Sequence, residues 1–217
     1  IDRRRGSIFG DAEARHIGHG RLGVRWRRSR RRGGLRLRRL GRALAGGRAH
    51  GGARPLLAAV DRDAIAGLRR RVGLVHQDTQ FLDHLPVAEN IALPMMVAGE
   101  PIDMDAIRDL LAWVQMTGQA RSMPPALSGG ERQRAALARA VILSPDLVLA
   151  DEPTGNLDPA TADEIMDLLL GINRRGTTVV MSTHNARAVN KARKRVLELR
   201  NGVLVRDEHD AQYEGEA

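Results

Sequence analysis

Two neighbouring carboxylates, Asp151 and Glu152, stand directly after a short apolar run at residues 147–150, LVLA. Such a run is typical of a strand that is buried on both faces of a parallel sheet. Ligands of open α/β sheets bind beyond the carboxyl ends of the strands, where this pair would lie. One carboxylate can hold Mg²⁺ through its water shell, and the other can orient and deprotonate an attacking water.

A glycine-rich segment precedes the two carboxylates. Ser128 and Glu131 have the spacing of a capping box, which predicts a helix that begins here and ends before Pro145. Gly129 and Gly130 would leave backbone N–H groups and the positive end of the helix dipole exposed, an arrangement that suits a phosphate. Together with the carboxylates, this segment predicts hydrolysis of a nucleoside triphosphate.

The whole run from 127 to 158, LSGGERQRAALARAVILSPDLVLADEPTGNLD, resembles the signature, Walker B and D-loop motifs of the ATP-binding-cassette (ABC) ATPases. The resemblance implies an α/β, P-loop NTPase-like ABC nucleotide-binding domain with a helical subdomain. It implies ATP and Mg²⁺ as ligands, Glu152 as the catalytic base, Asp151 as the Mg²⁺-holding carboxylate and Asp158 as the D-loop aspartate.

The same resemblance implies a homodimer that pairs head to tail. In that arrangement one copy covers the γ-phosphate of the ATP held by the other. The residues implied to do so, and to bind the nucleotide, are those of the signature turn: Ser128, Gly129, Gly130 and Glu131.

Two further motifs complete the family order. Residues 71–76 predict a strand that ends at Gln77, and residues 177–182 predict a buried strand that ends before Thr183 and His184. By resemblance, Gln77 is the Q-loop glutamine, which reaches Mg²⁺ and the attacking water, and the loop after it touches a membrane subunit. His184 is by resemblance the catalytic switch histidine that contacts the terminal phosphate. Asn185 replaces the aspartate often found next, and we expect this change to be tolerated.

Length and composition predict one globular domain without disulfides. The chain has 217 residues and no cysteine, which excludes disulfides and thiolate metal sites. No apolar run reaches the ~18 residues of a membrane-spanning helix, and we recognise no signal peptide. The resemblance to ABC ATPases, which act on a membrane subunit, implies a peripheral protein at the cytoplasmic face of the inner membrane.

Residues 1–60 differ in composition from the remainder. They hold 17 arginines and three acidic residues, a net charge of +14, whereas residues 61–217 carry −5. The family's phosphate-binding loop (Walker A) should fall here, but the chain has lysine only at Lys191 and Lys194. We expect this segment to be disordered or misfolded because of its composition. Our hypothesis is that it is an out-of-frame translation that replaces the Walker A region. The rival hypothesis is a genuine basic arm that binds nucleic acid or lipid.

The predicted domain spans residues 61–207. It includes a helix within 102–116, and a hairpin whose turn is Asn201-Gly202. The apolar face of that helix is predicted from four positions: Ile107, Leu110, Leu111 and Val114. The tail at 208–217 is expected to fray.

Within the ABC class, ADEPTGNLD together with NRRGTTVVMSTHN and RVLELRNG is most similar to the cell-division ATPases of the FtsE type. That similarity implies an FtsX-like membrane partner, contacted through the Q-loop region. The lipoprotein-release and macrolide-export ATPases, which share the TGNLD run, are the alternative. A third possibility is a non-catalytic ABC-like subunit with a basic arm.

Overall fold

The computed structural model describes residues 62–210 and 212–213, so the predictions for residues 1–60 lie outside the described part. The described helices are Arg62–Arg69 (α1), Val87–Ala98 (α2), Met104–Trp113 (α3), Gly129–Val141 (α4), Pro159–Arg174 (α5) and Ala186–Ala192 (α6). The described strands are Val72–Val75 (β1), Leu147–Asp151 (β2), Thr178–Ser182 (β3), Val196–Arg200 (β4) and Val203–Glu208 (β5). Short 3₁₀ turns lie at Thr117–Gln119 and Pro124–Ala126.

A parallel three-stranded sheet in the order β1-β2-β3 positions the chemistry. Its register aligns Leu74 with Leu149 and Val180, and Asp151 with Ser182. All three strands therefore end at one edge of the sheet, as predicted for Gln77, the paired carboxylates and His184.

Helix α4 is the central packing element. It contacts β1, α2, α3 and α5, and its alanines at 135, 136 and 138 are buried. Small side chains allow close approach: a Cβ on Gly73 of β1 would lie 2.3 Å from the backbone oxygen of Ala140. The signature helix is thereby fixed directly to the first strand.

The predicted apolar face of α3 is confirmed, because Ile107, Leu110, Leu111 and Val114 are all buried. With α2 and the start of α4, this helix forms the predicted helical part of the domain. On α5, the helix after the D-loop, Ile165 and Leu169 lie in the same hydrophobic core.

The prediction that β2 and β3 are buried on both faces is wrong for the described part of the chain. Val148 is fully buried, but Leu74, Leu149 and Val180 are 51%, 37% and 52% exposed. These three residues form one row across the sheet, on the face opposite α4 and α5. A continuous apolar run predicts that both faces are covered, but these three side chains remain partly open to solvent.

The predicted hairpin is confirmed. The strands β4 and β5 pair antiparallel, and Asn201 and Gly202 both have positive φ, 50° and 77°, as a type I′ turn requires. The predicted fraying does not extend to Tyr213. Its N–H donates to Oδ1 of Asn190 at 2.7 Å, and its carbonyl accepts from Nδ2 of the same residue at 3.0 Å.

Candidate active site at the sheet edge

Glu152 occupies a strained backbone position at the end of β2. Its φ is 43°, a left-handed conformation that costs a non-glycine residue roughly 1–3 kcal/mol. Its N–H donates to the carbonyl of Ser182 at 3.0 Å, so the pairing with β3 continues through the turn. The sheet thus holds the backbone of Glu152 while its side chain turns toward the segment after β3.

Three donors converge on the carboxylate of Glu152. Its Oε1 accepts the backbone N–H of His184 at 2.9 Å and lies 2.7 Å from Nδ1 of the same residue. Its Oε2 accepts from Oγ1 of Thr183 at 3.1 Å. Two carboxylate oxygens offer about four acceptor positions, so these contacts leave about one position, on Oε2, for a water molecule.

The two members of this pair differ in access to solvent. The side chain of Glu152 is 19% exposed and that of His184 is 86% exposed. When both ring nitrogens of His184 carry protons, Nδ1 donates to Glu152 and Nε2 faces outward. A phosphate oxygen can then accept from the outer nitrogen while the inner one keeps the carboxylate in place.

Asp151 and Gln77 lie beside this pair. Oδ1 of Asp151 accepts from the hydroxyl of Ser182, and the residue is exposed at the strand end. Nε2 of Gln77 lies 3.3 Å from the position a Cβ on Gly155 would take, and the carbonyl oxygen of Glu152 lies 3.2 Å from the same point. Gln77 and Glu152 therefore flank the same glycine.

The oxygen donors of Asp151 and Gln77 fit Mg²⁺. Mg²⁺ binds through one or two carboxylates together with phosphate oxygens and keeps several waters. Among the described residues, no group of three or more histidines or acids forms a ready metal cage. A site that takes the remaining ligands from phosphate and water agrees with this donor set.

The signature turn forms a complete capping box. Oγ of Ser128 accepts from the N–H of Glu131 at 3.3 Å. In return, Oε2 of Glu131 accepts from the N–H and from the hydroxyl of Ser128, both at 2.9 Å. Gln119 donates to the other oxygen of Glu131 at 3.0 Å. The backbone and hydroxyl hydrogen bonds from Ser128 lower the pKa of Glu131.

Within its own chain, the signature turn packs beside the D-loop and the start of α5. A Cβ on Gly129 would contact Leu157 at 3.6 Å, and a Cβ on Gly130 would overlap Thr161 at 2.5 Å. Within the described residues, the side chains of Ser128 and Glu131 hydrogen-bond to each other and to Gln119 rather than to the carboxylates at the end of β2. The structure therefore brings Gln77, Asp151, Glu152 and His184 together, whereas the signature turn with Asp158 forms a separate group.

Asp158 caps α5. Its Oδ1 accepts the N–H groups of Ala160 and Thr161, each at 3.0 Å, and hydrogen bonds with Thr161 are the main reason why the pKa of Asp158 is lowered. Asn156, two residues before it, has a φ of 62°. The D-loop is thus ordered by its own caps and turns, and Asp158 stays exposed.

Sequence reasoning assigned no role to Ser182 and Thr183. Their hydroxyls contact the two carboxylates, and the only signal in the sequence was their position at the end of β3. The tolerance predicted for Asn185 has a structural basis, because its side chain caps α6 by accepting from the N–H groups of Arg187 and Ala188. Aspartate and asparagine are similarly good N-caps.

An open apolar groove lies between α2 and α3. Leu85, Ala88, Met96 and Ile107 line it together with the acidic Glu89. It begins at the end of the loop that follows Gln77. Helices long and apolar enough to cross a membrane are not found within residues 62–210.

A family model described as ABC transporter matches residues 45–155, slightly more than half of the chain. The chain belongs to this family. The match includes the Q-loop, the signature turn and the paired carboxylates, and it implies that the nucleotide is ATP. The family assignment, the α/β ABC fold and the class of ABC-type ATPase predicted from the motifs are confirmed.

Curated relatives carry the cell-division name. The cell division ATP-binding protein FtsE of Bacillus subtilis is 46% identical over 159 residues, 72% of this chain and 70% of that protein. FtsE of Streptococcus pneumoniae serotype 2 is 48% identical over 148 residues, 67% of this chain and 64% of that protein. The chain thus spans about two thirds of the length of these relatives. The predicted similarity to FtsE-type proteins is confirmed.

A solved structure supports the fold. The chain is similar to the ATP-binding cassette MJ0796, solved as a dimer in a post-hydrolysis state with ADP and Pi, with a TM-score of 0.63 and 31% identity. The similarity covers 71% of this chain and 70% of that one.

Proposed function

We propose that this chain is the ATP-binding and ATP-hydrolysing subunit of an FtsE/FtsX-type ABC complex in cell division. The observation that carries the proposal is the convergence of Gln77, Asp151, Glu152 and His184 at one edge of the sheet, with Glu152 held by three donors. The similarity to FtsE proteins supports the choice among ABC branches.

In the proposed reaction Glu152 accepts a proton from the attacking water through the acceptor position that remains on Oε2. His184 keeps the carboxylate oriented through Nδ1 and donates from Nε2 to the terminal phosphate. Asp151 and Gln77 would hold Mg²⁺, which when bound neutralises phosphate charge. Burial of most of the Glu152 side chain keeps this charge stabilisation strong, because little bulk water competes with the donors.

A second copy completes the proposed site. The exposed residues Ser128 and Gly129 leave the start of α4 open to solvent. The N-terminus of a helix is favourable for phosphate because its N–H groups and dipole point outward. Because this turn and the catalytic carboxylate form separate groups within one chain, the proposed dimer places the turn of one copy over the γ-phosphate held by the other.

The membrane partner is proposed to dock at the groove between α2 and α3. Its apolar lining suits an apolar segment of an FtsX-like subunit, and it adjoins the loop that follows Gln77. A peripheral position at the cytoplasmic face of the inner membrane follows from this partner.

Residues 1–60 stand where the family has its phosphate-binding loop, and no lysine occurs there. We propose that this segment is an out-of-frame translation and that the chain as written binds ATP poorly. Without the lysine and the loop amides, the phosphates lack their main cationic and hydrogen-bonding support. If neither alternative frame of the gene encodes a glycine loop ending in Lys-Ser or Lys-Thr, the out-of-frame hypothesis is wrong.

The biochemical test compares the full chain with a chimera in which residues 1–60 are replaced by the corresponding segment of the Bacillus subtilis relative. We expect the chimera to bind and hydrolyse MgATP and the full chain to do neither. The control is the same chimera with the lysine of its phosphate-binding loop replaced by alanine. A chimera no more active than this control would overturn the proposed ATPase function.

The alternatives give different results in the same experiments. A lipoprotein-release or macrolide-export ATPase would hydrolyse ATP equally well in the chimera but would fail to co-purify with an FtsX-like subunit. A non-catalytic subunit with a genuine arm would bind nucleic acid or anionic vesicles through residues 1–60, and that binding would be lost when the segment is deleted.

A further inference from the structure

Arg139 links the signature helix to the loop that follows Gln77. It lies near the carboxyl end of α4, and its Nη1 donates to the backbone oxygen of Gln80 at 2.7 Å. Its guanidinium carbon lies 4.6 Å from the centroid of the Phe81 ring. Burial lowers the pKa of Arg139, in agreement with a side chain that packs against the loop.

Neighbouring residues of the loop are fixed in the same way. Oγ1 of Thr79 donates to Oε1 of Gln133 on α4 at 3.1 Å, and Gln133 is only 5% exposed. The fully buried Asn90 of α2 accepts from the N–H of Leu82 at 2.8 Å and donates to the carbonyls of Leu82, Leu85 and Pro86. Within the segment at 79–86, the first three residues are thus held by α4 and the remainder of the segment by α2.

Helix α4 connects this tether with the signature turn. Arg139 is ten residues beyond Gly129, about 15 Å along the helix axis at 1.5 Å per residue. The end of the helix is fixed to β1 by the close approach of Ala140 to Gly73. The segment therefore rests on a rigid element whose other end is the signature turn.

We propose that Arg139 is a positioning residue that holds Gln80 and Phe81 on α4, so that the loop carrying Gln77 keeps a fixed position relative to the signature helix. This inference rests on the proposed function for its consequence, because Gln77 is there a ligand of Mg²⁺. The contacts that form the tether join residues of this chain alone. Two contacts make it: a charge-assisted hydrogen bond to a carbonyl and a cation–π contact with a ring.

The test is amide hydrogen exchange on the full 217-residue chain without nucleotide, followed by mass spectrometry of peptides that cover residues 77–86 and 147–151. The N–H of Leu82, bonded to Asn90, reports opening of the loop. We expect Arg139→Met to speed exchange at 77–86 by about tenfold and to leave β2 unchanged, because only the local opening equilibrium shifts. Arg139→Lys keeps a cationic donor but loses the planar stack. Its exchange rate at 77–86 should therefore lie between those of the unaltered chain and Arg139→Met.

The matched control is Arg108→Met, because Arg108 lies on the exposed side of α3 and pairs with Asp105. The exchange rate of this variant at residues 77–86 should equal that of the unaltered chain. Unchanged exchange at 77–86 in Arg139→Met would overturn the proposal. Equal acceleration at 77–86 and 147–151 would also overturn it, because Arg139 would then support overall stability alone. Failure of the proposed ATPase function would appear separately, as absent MgATP binding by the chimera.

Discussion

Oε1 of Glu152 lies 2.7 Å from Nδ1 of His184 and accepts the backbone N–H of the same histidine at 2.9 Å. One histidine therefore holds the candidate base at two points. The contact joins the end of β2 to the segment after β3, and it leaves the outer side of the imidazole ring open.

Replacing Glu152 with glutamine should separate binding from hydrolysis. In the chimera defined above, we expect Glu152→Gln to bind MgATP and to lower turnover by roughly 10²–10⁴-fold, the usual contribution of a general base. The amide can still accept from His184 but cannot take a proton from water. Glu100→Gln, an exposed change of the same kind, should keep full turnover. Equal turnover in both variants would remove Glu152 from the base role.

His184→Ala should lower turnover of the chimera by about 10²-fold, because it removes both the donor to Glu152 and the proposed donor to phosphate. The matched control is His84→Ala, an exposed histidine in the loop after β1. Steady-state hydrolysis at saturating MgATP measures the difference. Similar rates for the two variants would contradict the role of His184.

Asn90→Leu should destabilise the domain. The amide of the fully buried Asn90 accepts from the N–H of Leu82 and donates to the carbonyl of Leu85, and both groups would lose this partner. The carbonyls of Leu82 and Pro86, which the amide also contacts, keep the backbone N–H groups of Leu85 and residue 90 as donors. A lost hydrogen bond to a partly buried group costs about 1 kcal/mol or more, so we expect the free energy of unfolding to fall by about 2 kcal/mol. Urea denaturation of the full chain, followed by circular dichroism, measures the loss. A change below about 1 kcal/mol would show that water replaces the amide.

Gly73→Ala tests how closely α4 approaches β1. The added Cβ would lie 2.3 Å from the carbonyl oxygen of Ala140, and because backbone must then move, we expect a loss of about 1–3 kcal/mol or more. Gly67→Ala is the control, because Gly67 lies in α1 with open space around it. Alanine favours a helix over glycine by up to about 1 kcal/mol. The two variants should therefore shift the urea midpoint in opposite directions.

Glu131 should make the domain sensitive to acid. Its hydrogen bonds to Ser128 lower its pKa in the folded state below the ordinary value of 4.5. Because the folded pKa is the lower one, the stabilisation is fully present above the unfolded value and is lost as the pH falls through the folded value. Glu131→Gln keeps the capping spacing but cannot titrate. The difference in unfolding free energy between the two proteins should therefore be largest near pH 7 and shrink below about pH 4.5; a constant difference would contradict this explanation.

Much of the local structure could be predicted because its causes are local. The capping box at Ser128 and the Asn201-Gly202 turn depend on residues within a few positions of one another. The placement of Glu152 and His184 at one edge followed from the rule that parallel strands end together. The exposed row formed by Leu74, Leu149 and Val180 could not be predicted, because an apolar strand carries no information about which element covers each face.

By itself, the sequence determined the family, the order of the motifs and the positions of α3, α4, the three parallel strands and the hairpin, since caps, apolar spacing and turn residues act over short distances along the chain. It did not predict α2 or α6. Only the tertiary structure decided which donors occupy the carboxylate of Glu152 and which side chains of α4 hold the loop after Gln77. Those contacts join residues about 30 to 60 positions apart, such as Glu152 with His184 and Gln80 with Arg139. Their geometry depends on how the sheet and α4 pack, and no local pattern of residues encodes it.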